Sequence, residues 1–451
     1  MHSPLIAMLI ASALLTLNPA GAQAADLVQV YQRALLNDPV YASARDAWAA
    51  GQERTTQGRA GLLPAIQASG QNTRNTGEQS SSFNASLGLP AGGPDDFLVT
   101  SDSQYHVNTY TISLSQPLYN WAAWQRYQQS KLAQAIAEVN FSQAREDLIM
   151  RVAQAYFDVL TARDNLGSTR AQKVATTEQL ASAKRNFEVG TQTITDTDEA
   201  QAAYDLVVAQ EFAAVNDLEN KRAVLQAIIG SVPTELASLR PGVLIKPPEP
   251  ASVEPWVASA ETQNHAVISK QLSLEAARRQ ISADRAGHMP AAALIASRTH
   301  AYQSGSGESH NNIVGVAWNM PLFNGYAVTS KVRESIALES QASNDLETTR
   351  RNASLNARQA FQGVTSGLAQ VKALEAAEVS SKSSLRSNKL GYQVGVRVNI
   401  DVLNAQKLLY STQKDLSKVR YDTIMNGLGL KAAAGTLGEA DLSVINALLE
   451  H

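Results

Sequence analysis

The 451-residue chain has no cysteine, which excludes disulfides, thiolate metal sites and cysteine nucleophiles together. It has little net charge, 38 Lys and Arg against 41 Asp and Glu, so nothing in its bulk electrostatics favours nucleic acid or an anionic surface. It also lacks any run of roughly 18 apolar residues, so no membrane-spanning helix is expected. The one short apolar run, Leu5 to Leu17, precedes Ala22-Gln23-Ala24 and reads as a secretory signal peptide over 1–24, cleaved before Ala25. Its leading segment departs from the usual pattern in carrying His2 and no Lys or Arg. The mature chain is then either soluble outside the cytoplasm or set in a membrane as a β-barrel. The seven His are scattered, none at ligand spacing from a carboxylate on a convincing face. Gly305-Ser306-Gly307 lacks the following helix of a phosphate cradle. No nucleophile elbow, HExxH motif, P-loop or acid pair stands in a supporting context. No enzyme activity, cofactor or metal site is expected.

What the chain does have is one stretch twice. Arg185-Asn186-Phe187-Glu188-Val189-Gly190-Thr191-Gln192-Thr193-Ile194-Thr195-Asp196 is answered by Leu390-Gly391-Tyr392-Gln393-Val394-Gly395-Val396-Arg397-Val398-Asn399-Ile400-Asp401. Both read aromatic, any residue, Val-Gly, then a short run closing on Asp. Glycine accepts the left-handed conformation that ends a helix, and Thr195-Asp196 or Asp401 offers an oxygen to start the next. Each stretch is therefore the tip of a helical hairpin. Pro321 follows Pro117 by 204 residues and Gly395 follows Gly190 by 205, a register too well kept to be coincidence.

The flanks carry two periodicities. Trp121 to Phe187 has no Pro and one internal Gly, Gly167; unbroken, such a helix would reach roughly 100 Å. Ile149, Val152, Tyr156 and Val159 step three, four, three, and Val402, Leu409 and Leu416 repeat at seven beside Ala405, Thr412 and Val419, the spacing of coiled-coil seams. Tyr110, Ile112 and Leu114 alternate with Thr109, Thr111, Ser113 and Ser115, as a strand between lipid and water would. Strands are expected near 65–75, 106–117, 291–303 and 312–320, with a polar loop over 77–100. The layout is a first repeat 25–231, a proline-rich connector 232–256, a second repeat 257–434 opening with a continuous helix 257–286, and a tail 435–451. About four strands per chain cannot close a barrel that needs at least about eight, and open edges are not tolerated in hydrocarbon. Several copies must pool their strands, unless the chain is a soluble periplasmic coiled-coil adaptor or scaffold with a small β-domain.

The chain resembles the TolC family of outer-membrane efflux proteins over essentially the whole mature sequence. The resemblance rests on Leu27 to Pro64, on Gln116-Pro117-Leu118-Tyr119, on both tips (Asn186 to Tyr204, Gly391 to Tyr410) and on the tail Gly435 to Leu442. It implies an α+β membrane protein with an internal two-fold repeat. A homotrimeric twelve-stranded barrel in outer-membrane lipid, four strands per chain, would continue as a periplasmic helical barrel. The partners implied are a periplasmic adaptor and an inner-membrane pump or ABC transporter, and the cargo drugs or proteins. Matched residue by residue, Thr195 and Asp196 face Tyr392 and Arg397 across a gate latch. Asp401 matches the first of two constriction carboxylates, with Asn404 at the second position, and Gly190 and Gly395 match the grooves that receive the adaptor. On the residues alone, Asp196 and Asp401 read equally as N-caps, Tyr392 as seam packing, Arg397 as a solvated charge, and the two glycines as helix ends. Asp95, Asp96 and Asp102 read as solvated loop acids or as the lining of an outer mouth.

Overall fold

In the computed structural model, residues 24–90, 97–232 and 235–450 are described. Residues 1–23 of the expected signal peptide and the acids Asp95 and Asp96 lie outside them. Two compact units emerge, each assembled from both sequence repeats: 44–143 with 265–352, and 1–43 with 144–264 and 353–451.

The first of these units holds one antiparallel sheet in the order β1 (Ala65–Ser82), β2 (Leu98–Tyr119), β3 (Ala291–Gln303), β4 (Gly307–Asn319). Alternation assigns the faces as the sequence indicates. Ile66, Leu114, Ala296 and Val314 share a rung on one face, and Gln67, Ser113, Ser297 and Ile313 share one on the other. On the hydroxyl face Thr111 and Thr299 meet oxygen to oxygen at 3.1 Å. The apolar face is bare within the chain, with Ile66, Tyr110, Ile112, Val314, Val316 and Trp318 all exposed. The polar loop expected over 77–100 is shorter than that. β1 runs on to Ser82 and β2 starts at Leu98, with one helical turn, α3 (Phe83–Ser86), after β1. Rows of Ser, Thr, Gln and Asn carry no hydrophobic period, so ladder pairing against a neighbour, invisible in a single segment, decides their conformation.

Helices make up the second unit and the remainder of the first. α1 (Leu27–Asn37) stops at Asp38, and α2 (Pro39–Ala60) starts on a proline, which has no amide hydrogen to leave unpaired there. The buried Asp38 carboxylate accepts from the amides of Val40 and Tyr41 and pairs with Arg151. α4 (Trp121–Glu188) and α5 (Ile194–Ile229) form the first hairpin, α8 (Ala327–Gln393) and α9 (Asn399–Ala433) the second. Ion pairs rung the first, Glu211 with Arg170 and Lys173 and Lys221 with Asp158; Glu375 with Arg420 does so in the second. Such partly exposed pairs each contribute about 0–1 kcal/mol. Apolar seams supply the rest: Val402, Leu409 and Leu416 are buried as their spacing requires.

The main core surrounds Leu148 to Leu166 of α4 and draws in α1, the C-terminal halves of α5 and α9, and α10 (Glu439–Asn446). Tyr156, wholly buried, donates to the carbonyl of Ala237 at 2.8 Å. Tyr421 donates to Asp164 at 2.7 Å, and burial pushes the Asp164 carboxyl above its ordinary range while that hydrogen bond holds it back. From Glu235 the connector is irregular, with a turn at Pro241-Gly242, until a helix opens at Glu254, and it is stapled: Leu236 bridges Ala25, Leu239 bridges Leu449, and Arg163 donates to the carbonyl of Leu236. The helix expected over 257–286 is divided into α6 (Glu254–Gln263) and α7 (His265–Arg285) with a 3-10 turn to His288. The cause is tertiary. Asn264 leaves the helix to donate to the carbonyl of Ala433, and Ser259 donates to that of Ala434.

Candidate functional site

The two tips are built alike. In the first, Gly190 takes φ 76°, its amide donates to Phe187 and that of Thr191 to Asn186. In the second, Gly395 takes φ 79°, its amide donates to Tyr392 and that of Val396 to Gly391. This paired closure satisfies the orphan carbonyls of a helix end and needs a residue without a Cβ strain penalty at the left-handed position. Around both glycines a Cβ would meet nothing within 4 Å, so each tip presents open backbone.

The restarts differ. α5 begins with a reciprocal box: the amide of Asp196 donates to the Thr193 hydroxyl at 3.3 Å, while the Asp196 carboxylate accepts the Thr193 amide at 3.1 Å and its hydroxyl at 2.8 Å. The equivalent of Thr193 in the second tip is Val398, which has no oxygen and makes no side-chain cap. Asp401 is therefore left without that partner and takes Arg397 at 3.6 Å across one turn of its own tip. The stem of Arg397 folds over Gly391, where a Cβ would lie 2.7 Å from Cγ. Neither aspartate is the N-cap that the sequence offered: Thr193 and Val398 hold those positions, and only the Asp196 carboxylate is bonded back to its cap residue.

Near the tips, two residues of the second hairpin make polar contacts to the first. The Tyr392 hydroxyl donates to Gln192 Oε1 at 2.9 Å and accepts from Asn186 Nδ2 at 3.4 Å. Asn399, fully buried, accepts from Gln179 Nε2 at 2.6 Å and donates to the main-chain carbonyl of Asp196 at 2.9 Å. Of the residues singled out from the sequence, Tyr392 thus reaches across to the first tip, but to Gln192 and Asn186. Asp196 takes part through its backbone. Arg397 stays within its own tip, and Thr195 and Asn404 are exposed. Asn399, Gln179, Gln192 and Asn186 were missed. The Thr193-x-x-Asp196 spacing of the box was readable in the sequence; Asn399 was not, because polar residues at a helix start ordinarily face water.

The scan against family models matches the outer membrane efflux protein model over residues 30–231 and 256–436. The chain belongs to the outer membrane efflux protein family. The outer membrane protein TolC of Vibrio cholerae is 33% identical over 453 residues, covering 99% of this chain and 98% of that protein. The alkaline protease secretion protein AprF of Pseudomonas aeruginosa is 31% identical over 429 residues, covering 93% and 86%. In fold, the chain is similar to the outer membrane protein VceC of Vibrio cholerae at a TM-score of 0.75 and 18% identity, over 91% of this chain and 96% of that one. As an outer membrane efflux protein it sits in the outer membrane with its helices in the periplasm, and the soluble adaptor or scaffold reading falls.

Elsewhere the expectation that no His meets a carboxylate is corrected. His300, Glu308 and His310 come together on the β3–β4 hairpin. Strand register unites residues that sequence spacing keeps apart.

Proposed function

We propose that three copies of this chain form the outer-membrane exit duct of a tripartite efflux or type I secretion system, passing drugs or proteins outward without doing chemistry on them. The observation that carries this reading is a four-stranded sheet with two unpaired edges, β1 of 18 residues and β4 of 13, and an exposed apolar face. In hydrocarbon both edges must be paired, and three such sheets edge to edge make twelve strands. Crosslinking of detergent-extracted protein should stop at trimers. A monomer that stays in solution without detergent overturns the proposal.

The tips are its periplasmic gate. Opening requires the second hairpin to leave the first, which breaks the two bonds of Tyr392 and the two of Asn399. At about 0.5–1.5 kcal/mol for each neutral bond, the latch holds roughly 2–6 kcal/mol per chain. That is enough to keep a duct shut, and little enough for a docking partner to offset. Thr195 and Asp196 lie on one side of this latch, Tyr392 and Arg397 on the other, and Asp401 with Asn404 rings the constriction. Arg397→Ser with Tyr392→Phe should raise single-channel conductance in planar bilayers; unchanged conductance removes the latch. Asp401→Ala should weaken block by multivalent cations, and equal block puts the ring elsewhere.

The periplasmic adaptor, coupled to an inner-membrane pump or ABC transporter, docks where Gly190 and Gly395 leave the backbone bare. Gly395→Trp should abolish export while trimers persist. Normal export by that variant refutes the docking role.

A further inference from the structure

The β3–β4 hairpin sets His300 opposite His310 and Tyr302 opposite Glu308. The two imidazole centroids are 4.5 Å apart and inclined by 38°. One nitrogen from each His and one carboxylate oxygen of Glu308 all lie within 4.8 Å of one another. His300 Nε2 is 3.8 Å from Glu308 Oε2, too far for a hydrogen bond, and that nitrogen is buried without any hydrogen-bond partner. A buried polar atom left unmatched costs about 1–3 kcal/mol, so its position between two other donors calls for an occupant.

The donor set selects the occupant. Imidazole nitrogen suits zinc, copper and nickel, whereas magnesium and calcium take oxygen cages. Ligand bonds of about 2.0–2.1 Å around a tetrahedral ion put neighbouring donors roughly 3.4 Å apart. Closing that gap asks only for rotation of side-chain torsions, since His300 and His310 already stand opposite one another on the ladder. Two His and one carboxylate leave a fourth position for water or an outside ligand. We propose that His300, His310 and Glu308 bind one divalent transition-metal ion of the zinc class per chain.

Position gives the site a consequence. It lies on the apolar face, on the far side of the Arg298–Asn312 rung from Ala296 and Val314, and next to the turn at Ser304 to Ser306. Exposed Tyr110 and Tyr302 flank it, as aromatic side chains flank the rim of a lipid-facing band. An ion held there staples both strands at the end of the hairpin, where the ladder is otherwise free to fray.

Untagged full-length protein in detergent, stripped with chelator, is titrated with Zn²⁺ by calorimetry and its bound metal is counted. One ion per chain is expected, with hundredfold excess Mg²⁺ failing to compete. His300→Ala and His310→Ala should each weaken binding at least about tenfold, and Glu308→Gln should weaken it less. His288→Gln, on the turn after α7, should change nothing. On the unaltered chain, Co²⁺ should give the visible absorption of a tetrahedral nitrogen and oxygen site, a readout that needs no variant to fold. Less than one zinc per chain, full affinity in either His variant, competition by Mg²⁺, or an octahedral Co²⁺ spectrum would each overturn the site.

Discussion

The tip after α4 and the tip after α8 share a glycine turn, a spacing and a closing aspartate, and they part at the residues around that aspartate, among them Gln192 against Arg397 and Thr193 against Val398. Thr193 gives the first tip a hydroxyl, so Asp196 is spent on its own helix start. Val398 gives the second tip none, so Asp401 is released to Arg397. Two aspartates at matching places in a duplicated sequence thus do different work because their neighbours three and four residues back differ: Thr193 and Gln192 in the first tip, Val398 and Arg397 in the second. The first tip closes its own helix start and meets its neighbour through Gln192 and Asn186. The other has a charged pair at its surface and carries Tyr392 and Asn399, the residues that reach across.

The largest test of that asymmetry is Asn399→Leu. It leaves Gln179 without its partner in a buried place, at about 1–3 kcal/mol, and removes the second hairpin's donor from the Asp196 carbonyl. Hydrogen exchange in the first turns of α5 and α9 should quicken together; exchange that stays at the unaltered rate would mean that Asn399 joins nothing. Next is the cap itself. Thr193→Val should cost the start of α5 about 1 kcal/mol, and Val398→Thr should strengthen α9 by a similar amount while drawing Asp401 away from Arg397. Protection factors that fail to move in opposite directions in the two variants would break the comparison. Tyr392→Phe deletes two hydrogen bonds at about 0.5–1.5 kcal/mol apiece, and should loosen the second tip without altering the cap of the first. Last comes Arg397→Ser. Its ion pair is exposed, worth about 0–1 kcal/mol, so denaturation midpoints should not shift measurably; a large shift would mean that Arg397 has a partner beyond Asp401.

Much of this was legible in the residues. Gly190 and Gly395 take the left-handed turns that their context demands, and Val402, Leu409 and Leu416 are buried at the spacing that announces a seam. The strand at Tyr110, Ile112 and Leu114 follows from alternation. Other features left no such trace. The polar ends of β1 and β2 are strands only because each finds the other. The break at Asn264 exists because α9 ends against it. Asn399 looks like any polar helix start until Gln179 is brought over it. His300 and His310 are ten residues apart along the chain but opposite one another across a ladder.

By itself the sequence determined the local and periodic features: hairpin tips, seams, and a sheet too small to close alone. Each follows from residues within a few positions of one another, where sterics and hydrophobic spacing act locally. Only the tertiary structure decided which polar groups meet, at the latch and at the histidine pair. A hydrogen bond or a ligand set depends on ångström-scale placement of side chains from distant segments, and no one-dimensional spacing encodes that.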